Sequence, residues 1–520
     1  MKKVYWSLIA CLMTGTAFGQ NLAKGTVYID QNGNGRQDKK ETGLAGVGIS
    51  NGRAVVQTDN NGQYEIQVGT DDIIFVIKPA GYELALDESN QPKFYYIHKP
   101  QGSPKLTYPG VEPTGDLPKA IDFALIPKAE SNRFSAFIFG DPQAYNEQEM
   151  EFFKNGVVDE AKNKKGPILG ISLGDLVGND LSLHPAYKST VAAMGLPWYH
   201  VIGNHDLNFD VKEDILSDEG FERSFGPANY SFNVGSAHFI VLDDIIYPHP
   251  EKGKGYQGGL RADQLEFIAN DLKLVPKNKL IVLAFHIPLN PTNNESFISK
   301  DRDQLFAILS QFPNTLSLSA HTHYQQQNFY TKEHGWNGIK PHHEYNVGTT
   351  SGDWYSGTEN EKGIPHATMR DGTPKGYAIL NIDSNQYTFD YQVIGKPADY
   401  TIGVFGPTII KEANAKRYPI YANFFIGAAG DSLSYRIGNQ NFKPMEKVLA
   451  ADPAYLQHVL EFDGAETLIS SRRPSDPTLS DHLWKFKLPK LKAGSHTIEI
   501  QAIDMFGRTH TTTKEIEVVQ

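Results

Sequence analysis

Cysteine is almost missing from this chain: Cys11 is the only one in 520 residues, and it falls in a short apolar stretch near the amino end. Once that stretch is removed no thiol remains, so disulfide frameworks, thiolate metal sites and cysteine nucleophiles are excluded. An excess of positive charge is missing too. Lys and Arg number 49 against 60 Asp and Glu, a net charge of −11, which argues against nucleic acid as the main partner because phosphate-backbone binding relies on basic surface. Beyond the first residues no segment approaches the ~18 apolar residues of a membrane span, so no transmembrane segment is expected. Low-complexity tracts are also lacking, and the length is too great for one ordinary core, so two to four domains are expected.

The first residues carry a secretory pattern. Lys2 and Lys3 precede an apolar run over 4–13 broken only by Ser7, and Ala17-Phe18-Gly19 before Gln20 supplies a cleavage pattern. Residues 1–19 are therefore read as a signal peptide, and the protein as exported to the periplasm or beyond. Leu8-Ile9-Ala10-Cys11 also resembles a lipoprotein box, which makes a lipid-anchored surface form the secondary reading.

Three regions follow. Residues 24–128 show short β-rich runs such as 25–29 and 73–77, broken by Gly, Asn and Asp turns, and read as a small β-sandwich. Residues 133–395 alternate strand-like runs with helical patterns at 147–162 and 262–274, with hairpins predicted at 230–242 and 376–395. That alternation is the pattern of an α/β fold, and paired sheets with helices outside, a four-layer αββα sandwich, fit it best. Residues 400–520 are strand-rich again and read as a second β-sandwich without a ligand cluster, so packing or binding is its default role.

Within the first β region, Asp30, Asn32, Asn34, Arg36 (through its carbonyl), Asp38 and Glu41 match the calcium-loop spacing D-x-[DN]-x-[DN]-G with Glu at the twelfth position. Asn-Gly and Asp-rich stretches also make plain turns between strands, which is the alternative reading. The segment over about 25–68 resembles the carboxypeptidase-regulatory-like and Sdr B-type β-modules, where such loops bind calcium.

The central region holds five short polar segments in order: Asp141-Pro142-Gln143, Gly174-Asp175, Gly203-Asn204-His205-Asp206, His286 and His321-Thr322-His323. Each follows a β-branched or aliphatic run, which places all five at strand ends, where α/β folds bind ligands. Singly, each residue has a structural explanation as a cap, a turn residue or a core histidine. The ordered set does not.

The set resembles the calcineurin-like metallophosphoesterase superfamily, over roughly 133–395. The resemblance implies two divalent ions, with Asp141 on metal 1, Asp175 bridging, Asn204, His286 and His321 on metal 2, and His323 returning to metal 1. Oxygen and imidazole ligands suit Mn, Fe or Zn over Ca or Mg. By the same resemblance His205 faces the scissile phosphate, and Asp206, a carboxylate beside a histidine, is expected to hydrogen-bond the His205 ring and fix its tautomer. The family's first motif is usually D-x-H, and here Gln143 stands in the histidine's place, so a looser metal 1 is expected. Gly178 stands where purple acid phosphatases carry an iron-binding tyrosine, and the Asp-Arg-Gly triplet of serine/threonine protein phosphatases is absent, so neither branch is favoured.

Candidate substrate-pocket residues, chosen because they follow strand ends or adjoin motifs, are Asn179, Asp180, His184, Asp244, Tyr247, His249, Asn290, Tyr324, Asp353, Trp354 and Tyr355. No arginine clamp is evident beside the motifs. The leading expectation is an exported phosphoesterase that hydrolyses small phosphate mono- or diesters by attack of a metal-bridging hydroxide, with His205 assisting the leaving group. The competing expectation is a surface protein that binds glycan or cell wall and carries a degenerate metal centre.

Overall fold

The computed structural model describes residues 21–289 and 296–520. The signal-peptide reading, Cys11 and the candidate Asn290 lie outside the described residues.

The central region is built on two sheets. In the first, Arg133–Phe139, Pro167–Leu173 and Trp198–Val201 run parallel, and the hairpin Gly376–Asp383 with Gln386–Val393 extends the sheet antiparallel from the Arg133–Phe139 edge. In the second, Ala237–Val241, Leu280–Ala284, Thr315–Ser319 and His342–Val347 run parallel, with antiparallel Tyr230–Val234 and Gln325–Tyr330 at the two edges. Strands covered on both faces need continuous apolar runs, and Leu280–Ala284 is buried at every residue. Both predicted hairpins form.

Parallel strands need crossover segments, several of which here are helices. Glu147–Phe153 starts where the Asn146 side chain accepts the Glu149 N–H at 2.9 Å. The helical pattern predicted to 162 continues through a π turn, Lys154–Val158, into Asp159–Ala161. Phe153 packs edge-on against Phe139 of the first sheet. Ala262–Leu272 turns Leu265, Phe267, Ile268 and Leu272 inward at the spacing of one helical face.

The flanking regions are strand-rich. Residues 21–127 hold two four-stranded sheets, and residues 402–519 hold one of four strands and one of five. The amino-terminal region packs on the helix Ala262–Leu272 through Phe75 against Phe267 and on the second central sheet through Phe94 against Tyr230. Its Lys99 pairs with the buried Glu219 at 2.5 Å. The carboxy-terminal region grips the 351–373 loop: His482 Nε2 meets Asp371 at 2.9 Å, and Ser475 N–H and the Tyr455 hydroxyl reach Asp353. Among the described residues no helix is long and apolar enough to cross a membrane.

Candidate metal centre

The parallel strands of both sheets end at one place, and the five motifs meet there. Leaving a strand within one or two residues forces the chain out of extended geometry. Asp141, Gln143, Asp175, His321 and His323 all take positive φ, from +33° to +70°. Non-glycine residues in that region are strained, and such strain clusters at functional sites. Glycine is required beside them: a Cβ on Gly203 would lie 1.9 Å from Asp175 N, and one on Gly174 would lie 2.6 Å from His286 Nδ1. Ala320, which precedes His321, has no such torsion and is fully buried.

The ligand candidates fall into two groups that share Asp175. In one, His286 Nε2 lies 3.1 Å from Asn204 Oδ1, 3.1 Å from His321 Nδ1 and 3.3 Å from Asp175 Oδ2. Asp175, His286 and His321 bring ligand atoms within 4.8 Å of one another. In the other group, His323 Nε2 lies 3.4 Å from Asp141 Oδ2, and Gln143 Nε2 donates to Asp175 Oδ2 at 3.2 Å.

Neighbouring groups fix the imidazole tautomers. His286 Nδ1–H donates to the Leu173 carbonyl and His323 Nδ1–H to the Gly352 carbonyl, each at 2.7 Å, so each ring turns Nε2 inward, the nitrogen that carries the lone pair when the ring is neutral, as in a metal-ligating histidine. Asp141 Oδ2 and Gln143 Oε1 are buried acceptors without hydrogen-bond partners among the described residues. Such orphans are costly unless something electrophilic meets them, and a divalent cation does so for both. The donor set therefore fits two divalent ions: Asp141, Gln143, Asp175 and His323 for one, and Asp175, Asn204, His286 and His321 for the other.

The titration behaviour agrees. Burial, reinforced by His286, pushes His321 down to about 3, and burial likewise takes His323 to about 3, so both are neutral lone-pair donors. Burial opposes charging His286, but Asp175 and Asp141 outweigh it and raise the group to about 10. Burial raises Asp141 well above its ordinary range, whereas His286 and His205 overcome burial at Asp175 and hold it low. The two carboxylates thus draw positive charge into the cluster, at His286.

His205 stands beside this cluster. Its backbone N–H donates to Asp175 Oδ1 at 2.8 Å, its Nε2 is 3.9 Å from Asp175 Oδ2, and its ring is about a quarter exposed. The expected Asp206 contact is corrected here. Asp206 is fully buried and accepts the N–H groups of Leu176, Val177 and Gly203, so it knits the second and third motifs together. Its nearest imidazole is His184 at 3.5 Å. The His205 ring is held instead by Asn179 Oδ1, 2.6 Å from Nδ1.

Several pocket candidates prove structural. Asp244 is buried, accepts the N–H groups of His286 and Ile287, and is pushed by burial to about 7; it positions His286 through the backbone. Tyr355 is buried with its hydroxyl on the Pro142 carbonyl, and Asp353 receives Ser356, Ser475 and Tyr455. Tyr247 binds the Phe209 carbonyl, and Asp180 caps the turn Leu181–Leu183. His184 pairs with Ser224, and His249 accepts loop N–H groups. Asn179, Tyr324 and Trp354 do reach the site. Trp354 stacks on His323 with ring centres 3.8 Å apart, and Tyr324 shares a cavity with His321.

Residues that carry no motif complete the site. Tyr145 packs edge-on 5.8 Å from His205 and fills the space over Gly178, where a Cβ would come within 2.5 Å of its ring. Tyr256 lies against His321. Arg370 corrects the expectation of no arginine near the motifs, for it shares the His321 cavity. No spacing rule links Tyr256 or Arg370 to the motifs, and Tyr145 is marked only by following Gln143 at two positions' distance.

In the 30–41 loop, buried Asp30 accepts the N–H groups of Gly33, Asn34 and Gly35, and Glu41 accepts those of Gln31 and Asp38. Asn32 and Asn34 turn their amide N–H groups to Asp38, while Arg36 contributes an N–H to Asn34 Oδ1.

Family models described as calcineurin-like phosphoesterase match residues 136–325, as its amino-terminal part 31–108, and as its carboxy-terminal part 344–510. A probable glycerophosphodiester phosphodiesterase of Arcobacter nitrofigilis is 25% identical over 186 residues, covering 35% of this chain and 66% of that relative, just under two thirds of its length. Among solved structures, a purple acid phosphatase from yellow lupin covers 68% of this chain and 69% of its own at 11% identity and a TM-score of 0.35. A metallophosphoesterase from Sphaerobacter thermophilus covers 50% and 89% at 15% identity and a TM-score of 0.23.

Proposed function

Because the chain belongs to the calcineurin-like phosphoesterase family, we propose that it is a metal-dependent hydrolase of small phosphate diesters. The observation that carries this reading is the pair of ligand groups sharing Asp175, each with inward imidazole nitrogens or orphaned carboxylate and amide oxygens. The matched relative's name favours diesters over monoesters. The αββα layering of the central region, the β-sandwich character of both flanks and export through the amino-terminal segment belong to the same reading. So does calcium in the 30–41 loop, checked by calorimetric titration with calcium.

In this mechanism Asp141, Gln143, Asp175 and His323 would hold one ion and Asp175, Asn204, His286 and His321 the other, with Mn, Fe or Zn as the candidates. Such ions, when bound, polarise the phosphoryl oxygens and lower the pKa of a water enough to make it a nucleophile near neutrality. The water oxygen bonds to phosphorus as the opposite P–O bond breaks. Asn179 holds His205 by Nδ1, which leaves Nε2 on the Asp175 side, where it steadies the phosphoryl charge or delivers a proton to the leaving oxygen. Asp206 keeps the second and third motifs in register, and Asp244 keeps His286 in place.

The test is to strip the protein with chelator, reload it with Mn, Fe(II) or Zn, and assay bis(4-nitrophenyl) phosphate and 4-nitrophenyl phosphate while counting bound metal. Two ions per chain and faster diester turnover are expected. Inactivity with every metal overturns the reading.

A further inference from the structure

Beside the His321 group lies a cavity of ≈300 Å³ whose wall includes Tyr256, Ile287, Pro288, His321, Tyr324 and Arg370. A metal-ligand candidate is part of that wall, so a group seated in the cavity adjoins the reacting phosphate. Among its described lining residues, Arg370 alone carries a fixed positive charge.

Arg370 is held in place but not neutralised. Its Nη2 donates to the Thr322 carbonyl at 2.8 Å, and its guanidinium carbon stands 6.0 Å from the Tyr324 ring centre and 5.8 Å from that of Trp354. Its Nε is buried with no hydrogen-bond partner among the described residues. Arg261, Arg472 and Arg508 each face a carboxylate; Arg370 faces none among the described residues. A guanidinium is a planar fork that matches an oxyanion through two parallel hydrogen bonds. The Tyr324 ring, which lines the cavity, suits a planar group beside it.

Resting on the phosphodiester reading above, we propose that Arg370 is a specificity-determining residue, and that this cavity receives the ester substituent of a substrate carrying a second oxyanion. A cationic substituent in the same place meets the uncompensated guanidinium and is disfavoured. The competing role for Arg370 is a clip that steadies the His321-Thr322-His323 backbone through Thr322.

Two symmetric probes separate these roles on the full-length, metal-loaded protein: bis(3-carboxyphenyl) phosphate and its neutral counterpart bis(3-carbamoylphenyl) phosphate. Either arm of a symmetric diester can enter the cavity. Wild type is expected to favour the carboxylate by about tenfold in kcat/KM, expressed in KM and equal to about 1.4 kcal/mol. Arg370→Gln brings that ratio to near unity, and Arg370→Lys, which keeps the charge but loses the fork, leaves an intermediate ratio. A wild-type ratio at or below one, or a ratio unchanged in Arg370→Gln, overturns the proposal; if Arg370→Gln does not fold, the wild-type and Arg370→Lys ratios decide. Binding is read separately by tryptophan fluorescence with 3-carboxyphenyl and 3-carbamoylphenyl phosphonate, which cannot be hydrolysed. A tighter carboxylate Kd that disappears in Arg370→Gln sustains the Arg370 assignment even where no ester turns over, and then the hydrolase reading is the one that falls. Equal Kd values in wild type, with diester turnover present, overturn the assignment and leave the hydrolase reading standing.

Discussion

The two halves of the metal centre share Asp175 but differ in what else they offer. The His286 half converges tightly, the His321 Nδ1 and the Asn204 side-chain oxygen each lying 3.1 Å from His286 Nε2. The His323 half has one imidazole, one carboxylate and the Gln143 amide, whose Nε2 is already engaged with Asp175. Imidazole is the stronger donor to Mn, Fe and Zn, so equal positions in the fold should hold metal unequally. Homologous motifs at neighbouring strand ends thus do not guarantee equivalent sites, because one substitution changes which atom faces inward.

The largest effect should come from removing what the halves share. Asp175→Ala is expected to lower diester turnover by ~10³-fold or more, since metal ions supply several kcal/mol of transition-state stabilisation, and to reduce bound metal in both halves, read by elemental analysis. Retention of both ions would dissolve the comparison. Next in size is His205→Ala, expected to slow turnover by ~10²-fold with metal content intact, the scale of positioned acid–base help. Asn179→Ala should give a smaller loss of the same kind with an altered pH–rate profile, because the ring loses its partner on Nδ1; an unchanged profile would remove Asn179 from the mechanism.

A finer probe is Gln143→His. It supplies the missing imidazole, so the His323 half should retain its ion through chelator dialysis that empties it in wild type, by roughly tenfold in Kd, a step of about 1.4 kcal/mol. Equal retention in both proteins would show that the Gln143 carbonyl is already a competent ligand.

The smallest effect concerns histidines outside the centre. His342 and His343, buried in the strand His342–Val347, are each pushed by burial to about 3. Their folded pKa lies below the unfolded value of ~6.5, so as pH falls the unfolded chain takes up protons first. Stability from these groups is therefore full above about pH 6.5 and is lost progressively as pH drops toward 3, at up to about 1.4 kcal/mol per pH unit for each group. His342→Gln, which can keep a bond to Ser317, should flatten the decline of melting temperature between pH 6.5 and 5; an identical slope would place the acid sensitivity in the metal centre instead.

Much of the centre was legible because its chemistry is local. Asp141, Asp175, Asn204, His286, His321 and His323 each follow an apolar strand run, and strand ends in parallel sheets converge. The hairpins at 230–242 and 376–395 were legible from alternation. What failed were assignments of contact. Asp206 is next to His205 in sequence, yet adjacent residues in a tight turn point apart, and its carboxylate turns inward to three N–H groups. Asp244, Asp353 and Tyr355 follow strand ends as the ligand candidates do, but their polar atoms satisfy buried backbone or neighbouring side chains, a role that sequence position cannot distinguish from substrate binding.

The sequence by itself determined the order of apolar strands and polar turns, and with it the residue types available at the convergent strand ends, because both follow from short-range patterning. Only the tertiary structure decided that Asn179 rather than Asp206 holds His205, that Tyr145 occupies the space above Gly178, and that Arg370 shares a cavity with His321. Those pairings join segments through long loops and through the brace of the carboxy-terminal region, where side-chain direction and burial, not spacing along the chain, set which groups meet.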